Sequence, residues 1–280
     1  MNEWAGAAGK LDLGAYLRRV GYAGPRRPTE ETLRALHHRH LAAIPFENLD
    51  IILGRGVAVD LESVQAKLVD GGRGGYCFEH GQLFAAALER TGFTVERLLA
   101  RVSRPGPVLP RTHLTLRVST PDRSGTWLAD VGFASSPPEP LALRPLRPGG
   151  SQDLGGWTYE VAPDDEEGRT WALRELQGRE WVTLYRFEDS PVFPADVVMG
   201  NHYTSTHPDS WFTRTPVVAR RTPDAVTSLL GRVLTVTRPG HVKERRELDD
   251  EEWAAALAGV FGLEFAPGER AALLASADGV

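Results

Sequence analysis

Gly71-Gly72-Arg73-Gly74-Gly75-Tyr76-Cys77-Phe78-Glu79-His80 is the stretch from which the rest of the chain can be read. Four glycines and an arginine lead into Cys77, the single cysteine among 280 residues. Apolar residues at helical spacing follow it (Phe78, Leu83, Phe84, Ala87, Leu88), which predicts that the sulfur sits in the first turn of a helix. Unpaired N–H groups and the positive end of the helix dipole favour thiolate there. Such a setting brings a cysteine pKa from about 8.5 toward neutrality or below. The glycines permit backbone conformations and close approaches that other residues forbid. A lone cysteine is often only a small core residue, but these surroundings are those of a nucleophile.

A thiolate nucleophile needs a base for its proton and a third group to orient that base. His113, in Arg111-Thr112-His113-Leu114-Thr115-Leu116, opens a strand pattern and would project from a rigid element. Asp130, in Trp127-Leu128-Ala129-Asp130-Val131-Gly132-Phe133, is a carboxylate within an apolar strand pattern, which is costly unless paired. Adjacent antiparallel strands joined by a modest loop would bring the two side by side. Taken singly, His113 reads equally as a satisfied histidine at a strand start, and Asp130 as a turn former before Gly132. The coincidence of the three favours a Cys-His-Asp arrangement.

Outward from this centre the chain changes character twice. Upstream it is helical. Thr29 can cap a helix beginning Glu30-Glu31, with Leu33, Leu36, His37, His40 and Leu41 on one face and Pro45 ending it. Asp60 can cap a second helix carrying Leu61, Val64 and Leu68, and Gly92 closes the helix of Cys77. Downstream come short runs rich in β-branched and apolar residues: 94–102, 113–118, 126–131, 157–161, 169–176 and 181–187. Stretches such as 104–111 separate them, and 137–150 is a proline-rich loop over or beside the sheet. That spacing implies an antiparallel sheet or barrel. The last part is mixed, with a helical segment within 191–201 and strands at 217–222 and 226–237 turning at Gly231. A helix at 250–260, boxed by Asp249 and Glu252, and a final helix at 267–275 complete it. Helices first, strands next and a mixed remainder give an α+β class.

Composition narrows the function. The hydrophobic and charged fractions, 41% and 25%, are those of an ordinary globular protein. One cysteine excludes an internal disulfide. Residues 1–12 lack the basic start and apolar core of a secretory signal, and no apolar run approaches the roughly 20 residues that span a bilayer. A cytoplasmic protein is expected. The net charge of −5 argues against a broad nucleic-acid surface. The glycine run lacks the Lys-Ser/Thr ending of a phosphate loop. Among His37, His38 and His40 only the first and last share a helical face, with no ligand-spaced cysteine or carboxylate, so no metal is expected and a solvated or partly packed face is. The tryptophans are scattered and read as packing.

Four segments, in order, resemble the arylamine N-acetyltransferase family: Ile44-Pro45-Phe46-Glu47-Asn48-Leu49, then Arg73-Gly74-Gly75-Tyr76-Cys77-Phe78-Glu79, then His113 with Asp130-Val131-Gly132-Phe133, and His207-Pro208-Asp209-Ser210-Trp211-Phe212. The likeness extends from Leu13 to about Leu263. It implies a helical bundle over 1–91 carrying the nucleophile, an antiparallel β-barrel over 92–190 carrying base and acid, and an α/β lid over 191–280, with a cysteine-protease-like core. It implies ping-pong transfer of an acetyl group from acetyl-CoA through Cys77 to a small arylamine or arylhydrazine, with His113 exchanging protons and Asp130 orienting it. By match of motif, Phe46, Val102, Phe133 and Phe212 would line the acceptor slot. Thr112, Gly132, His241 and Lys243 would touch CoA; the last two read equally as solvated hairpin residues. Arg73 is expected to pair with Glu47, since a buried charge needs a partner.

Two positions depart from the family pattern: Gly81 stands where Asn is common, and Ala134 where Gly is common. An added methyl beside the cleft bears on how substrates enter. The departure keeps open an amide synthase on the same scaffold, which would take a polyketide acyl chain from an acyl carrier protein and close a macrolactam. A thiol hydrolase and a non-catalytic binding protein on this scaffold are the remaining readings.

Overall fold

The computed structural model describes residues 4, 8–106, 108–122, 125–143 and 150–278. The expected loop 137–150 is thus described only up to Leu143 and at Gly150; its residues 144–149 lie outside the described residues, as do 1–3 and 5–7 of the amino terminus and residue 107 of the 104–111 stretch.

The first helices are α1 (Leu13–Arg19), α2 (Glu30–Ala43), α3 (Leu49–Ile52), α4 (Leu61–Gln65) and α5 (Cys77–Thr91). Their ends are set by the anticipated caps. Thr29 accepts from the Thr32 N–H at 3.3 Å and Asp60 from the Ser63 N–H at 3.0 Å. Gly92 ends α5 in the left-handed region at φ 100°. Helix α5 is central: Leu83, Phe84, Ala85, Ala87 and Leu88 are fully enclosed. It shares one buried cluster with Leu33 and Leu36 of α2 and with Leu116 and Val118 of the following sheet.

That sheet has eight strands: β2 (Thr94–Val102), β3 (His113–Ser119), β4 (Thr126–Ala129), β5 (Leu141–Ala142), β6 (Gln152–Asp153), β7 (Thr158–Pro163), β8 (Thr170–Gln177) and β9 (Glu180–Glu188). Their order is β5-β4-β3-β2-β9-β8-β7-β6, antiparallel throughout. The two edges meet through Gln152, whose side chain bonds both the N–H and the carbonyl of Ala142. The sheet is therefore nearly closed into a barrel, filled by Trp157, Tyr159, Leu173, Tyr185 and Leu141. Closure removes the exposed edges a flat sheet would present.

The remainder holds α6 (Pro194–Thr206), β10 (Val217–Arg221), β11 (Val226–Leu230), β12 (Val233–Arg238), β13 (Val242–Glu247), α7 (Asp250–Gly259) and α8 (Pro267–Ala277). Trp253 and Leu257 of α7 and Phe261 just after it, with Leu273 of α8, bury the sheet face that carries Val218 and Leu229. The α+β class expected from the pattern holds. One strand crosses its order: β1 (Phe46–Glu47), far upstream in the helical part, is the edge strand of this C-terminal sheet, pairing Phe46 with Ala219 and Glu47 with Val218. Strand β13 (Val-Lys-Glu-Arg-Arg-Glu) is exposed along its whole length and so carries no alternation by which to find it. No helix among the described residues is long and apolar enough to cross a membrane.

Candidate active site

Cys77 is the first residue of α5. The turn before it is held by Glu79, whose Oε2 accepts from the Tyr76 N–H at 3.0 Å. The glycines act mainly through close approach. A Cβ at Gly74 would fall 2.2 Å from the Pro45 carbonyl oxygen, and one at Gly75 would meet the Glu79 carboxylate at 2.6 Å. That closeness lets the loop pair with β1: the Glu47 N–H donates to the Gly75 carbonyl at 2.7 Å, and the Gly75 N–H to Pro45 at 3.3 Å.

A buried ionic cluster underlies the loop. The expected Arg73–Glu47 pair is present at 2.6 Å, and Arg73 also reaches Asp50 at 3.2 Å. Lys67 bridges Asp50 at 2.8 Å and Glu79 at 2.9 Å. Burial pushes the Glu79 carboxyl up to about 7 against the opposing pull of Lys67. Asn48 fastens the same region to the C-terminal part. Its amide nitrogen donates to the Phe212 and Thr215 carbonyls, both at 2.8 Å, and its oxygen accepts from the Val217 N–H at 2.7 Å.

His113 opens β3, and Asp130 follows directly after β4, which pairs antiparallel with β3 through Leu116 and Ala129. His113 Nε2 lies 2.6 Å from Asp130 Oδ2, and both side chains are enclosed. Asp130 Oδ1 accepts from the Gly132 N–H at 3.0 Å. Asp130 takes Nε2, which leaves Nδ1 as the ring nitrogen available for proton exchange with Cys77. The sulfur also contacts the Thr112 carbonyl at 3.4 Å. Burial pulls the His113 pKa down, but the Asp130 charge and hydrogen bond, with help from Cys77, outweigh it and lift it to about 10. Burial raises the Asp130 carboxyl, and His113 more than reverses this, holding it below the usual carboxylate range. The paired carboxylate thus favours the imidazolium form of the ring. The rings of Tyr185 and Phe133 stand 4.8 Å and 5.2 Å from it, and Ser136 Oγ fixes the Phe133 backbone by accepting its N–H at 3.0 Å. A sulfur near a histidine held by a carboxylate can form a covalent adduct while the ring passes protons to and from the leaving group.

The sulfur opens on a cavity of about 310 Å³. Of the binding residues expected from the sequence, Phe46, Val102, Phe133, Phe212, Thr112 and Gly132 all line it. His241 and Lys243 do not. His241 packs edge-on against Trp157 at 5.4 Å, and Lys243 is exposed on β13. The hairpin that carries them lies against the barrel instead: the Gly240 N–H donates to the Gly156 carbonyl at 3.1 Å.

The structure adds residues that the motifs did not single out. Arg104 and Trp211 line the cavity, as do Tyr203 and Thr204 of α6. Trp211 is thus a wall of the site as well as a packing residue; its place beside Phe212 in the His207–Phe212 segment was the available signal. Ala134 lines the cavity too. At the other departure, Leu114 fills the space beside Gly81: a Cβ there would meet its Cδ2 at 2.7 Å.

The helix α2 histidines are corrected as well. His37 and His40 are fully buried, neither solvated nor partly packed. His40 links Tyr16, at 3.0 Å, to His80, at 2.8 Å, and His80 Nε2 reaches the Pro45 carbonyl at 3.2 Å. A carbonyl only accepts, so the direction of the chain is fixed: His80 donates to Pro45, His40 to His80, and Tyr16 to His40. Burial and its histidine neighbours keep His40 neutral, and burial holds His80 down at about 4. No group of three or more potential metal ligands occurs among the described residues.

A family model described as N-acetyltransferase matches residues 29–270. The arylamine N-acetyltransferase of Mycolicibacterium smegmatis is 38% identical over 261 residues, covering 91% of this chain and 92% of the relative. That of Escherichia coli K12 is 35% identical over 246 residues, covering 85% and 83%. Among solved structures, the Nocardia farcinica arylamine N-acetyltransferase superposes with a TM-score of 0.89 at 41% identity, over 95% of this chain and 94% of the other. The Mycobacterium marinum arylamine N-acetyltransferase in complex with CoA gives 0.87 at 36% identity, over 95% and 98%.

Proposed function

The chain belongs to the arylamine N-acetyltransferase family, and from this premise we propose that it carries an acetyl group from acetyl-CoA to a small arylamine or arylhydrazine by way of a Cys77 thioester. In the first half-reaction the Cys77 sulfur attacks the thioester carbonyl. A new carbon–sulfur bond forms, the bond to CoA breaks, and the CoA thiolate takes its proton from the His113 imidazolium. In the second, the acceptor nitrogen attacks the acetyl-cysteine carbonyl. The carbon–nitrogen bond forms, the Cys77 thiolate leaves, and His113 takes the amine proton. Asp130 keeps the ring oriented and charged. The Cys77 N–H, unpaired within its helix, is a donor for the oxyanion in both steps.

The observation that carries this reading is the enclosed His113–Asp130 pair at 2.6 Å, with His113 and Cys77 lining one aromatic-walled cavity. Support also comes from the size of that cavity. About 310 Å³ is at the small end for ligand pockets and suits an acetyl group with one ring better than a polyketide chain. No observation favours the carrier-protein alternative. The reading keeps the cytoplasmic setting expected from the sequence.

Intact-mass measurement after incubation with acetyl-CoA alone tests it. The wild type should gain the mass of one acetyl group, Cys77→Ala none, and addition of 4-methylaniline should discharge the adduct. A wild type that gains no acetyl mass would end the proposal.

A further inference from the structure

We propose that Arg104 is a specificity-determining residue that selects aryl acceptors bearing an oxyanion, above all a ring carboxylate, at the end remote from the amine. The inference deepens the proposed function and rests on it for the identity of the reaction. Arg104 lines the same cavity as Cys77 and His113, and among the described residues it is the one arginine or lysine to do so. Its guanidinium carbon lies over the Trp211 ring, 4.4 Å from the centroid. Trp211 in turn leans on Phe212 at 4.7 Å, and Phe212 on Phe46 and Tyr76, both at 6.0 Å. One aromatic wall thus joins the arginine to the residues around the sulfur.

The arginine has no carboxylate partner among the described residues. In contrast, Arg73, Arg97, Arg174 and Arg186 are all ion-paired. Arg104 is exposed to solvent, and partial desolvation draws its pKa down. Stacking on tryptophan uses only the face of a guanidinium and leaves its N–H edge for a planar bidentate acceptor. A carboxylate fits that edge with two parallel charge-assisted bonds. Asp209, the carboxylate residue that also lines the cavity, is largely exposed and lies 3.8 Å from His207, so a ligand anion would not find Arg104 already occupied. An aryl ring carrying its amine toward Cys77 and its carboxylate toward Arg104 would lie along the aromatic wall. A phosphate of the acyl donor is the other oxyanion with access to this edge, and the experiment separates the two.

The probes are 4-aminobenzoate and 4-methylaniline, which differ by carboxylate against methyl. Without any acyl donor, the calorimetric Kd of 4-aminobenzoate should rise about ten-fold or more in Arg104→Gln, as expected for loss of a charge-assisted pair, and by less in Arg104→Lys. In turnover, the ratio of kcat/KM for 4-aminobenzoate over 4-methylaniline should fall by a similar factor, with the change in KM. An equal fall for both acceptors overturns the assignment. So does a loss confined to CoA release from acetyl-CoA in the absence of acceptor, which would give the arginine to the donor phosphates. The binding measurement needs no turnover, so it decides the role of Arg104 even if the wild type takes up no acetyl group, an outcome that would count against the proposed function alone.

Discussion

Replacing Gly132 by alanine tests how tightly the sulfur is seated. A Cβ at Gly132 would lie 2.9 Å from both the Cα and the carbonyl oxygen of Cys77. Both atoms are backbone, so no side-chain rotation relieves the overlap. Restoring ordinary contact at 3.4 Å or more needs a displacement of roughly half an ångström between the β4 end and the start of α5. Overpacking of this kind costs about 1–3 kcal/mol, a fall in Tm of roughly 2–10 °C for a chain of this size. The same displacement separates sulfur from imidazole and strains the Gly132 N–H bond to Asp130. A misplacement of about 1 Å costs on the order of a hundred-fold in rate, so roughly ten-fold is expected here in kcat/KM for CoA release from acetyl-CoA. Gly268→Ala is the control: a Cβ at this position in α8 would have nothing within 4 Å, so stability should hold or rise by up to about 1 kcal/mol. The assays are a thiol-release assay and a thermal melt on the three proteins. Gly132→Ala with wild-type rate and an unchanged melt would refute the argument that only glycine can face Cys77.

Asp130→Asn should fold but lose about a hundred-fold or more in turnover, because the ring loses the charge that keeps it protonated and oriented; a thiol-release assay retaining most of the wild-type rate would remove Asp130 from the mechanism. The same variant reads the linkage between charge and stability. His113 has its folded pKa raised from 6.5 to about 10, so its contribution is complete below pH 6.5 and is lost as pH rises through 10. The excess unfolding free energy of wild type over Asp130→Asn, from urea titrations, should therefore shrink by at least about 1 kcal/mol between about pH 6.5 and pH 10.5, and an excess that stays constant contradicts the pairing. Finally, Gly81→Asn, which installs the residue common in the family, should destabilise by about 1–3 kcal/mol because Leu114 already fills the space; a rise in Tm would show that Leu114 yields readily.

Much of this was legible along the chain because it is locally encoded. Thr29, Asp60, Gly92 and Asp249 mark helix ends through bonds to residues three or four away, and runs rich in β-branched and apolar residues mark β2 and nearly all of β3. Cys77, His113 and Asp130 were identifiable because each is chemically out of place in its local pattern. His40 gave no such signal: a histidine on an apolar helix face reads alike whether solvated or enclosed, and only the arrival of Tyr16 and His80 made it a buried relay. His241 read from the sequence either as a CoA contact or as a hairpin residue, and its packing on Trp157 is a contact between distant segments that the local pattern does not contain.

The sequence by itself determined the α+β class, the extent of the principal helices and strands, and the residue types able to do the chemistry, since helical and strand periodicity and end-capping are properties of neighbours within a few residues. Only the tertiary structure decided that Phe46–Glu47 would become the edge of a sheet built some 170 residues later, that the barrel would close through Gln152, and that Arg104 and Trp211 would join the wall beside Cys77. Such partnerships depend on which edges and faces remain free once every other element has packed, a property of the whole assembly that no short window of residues contains.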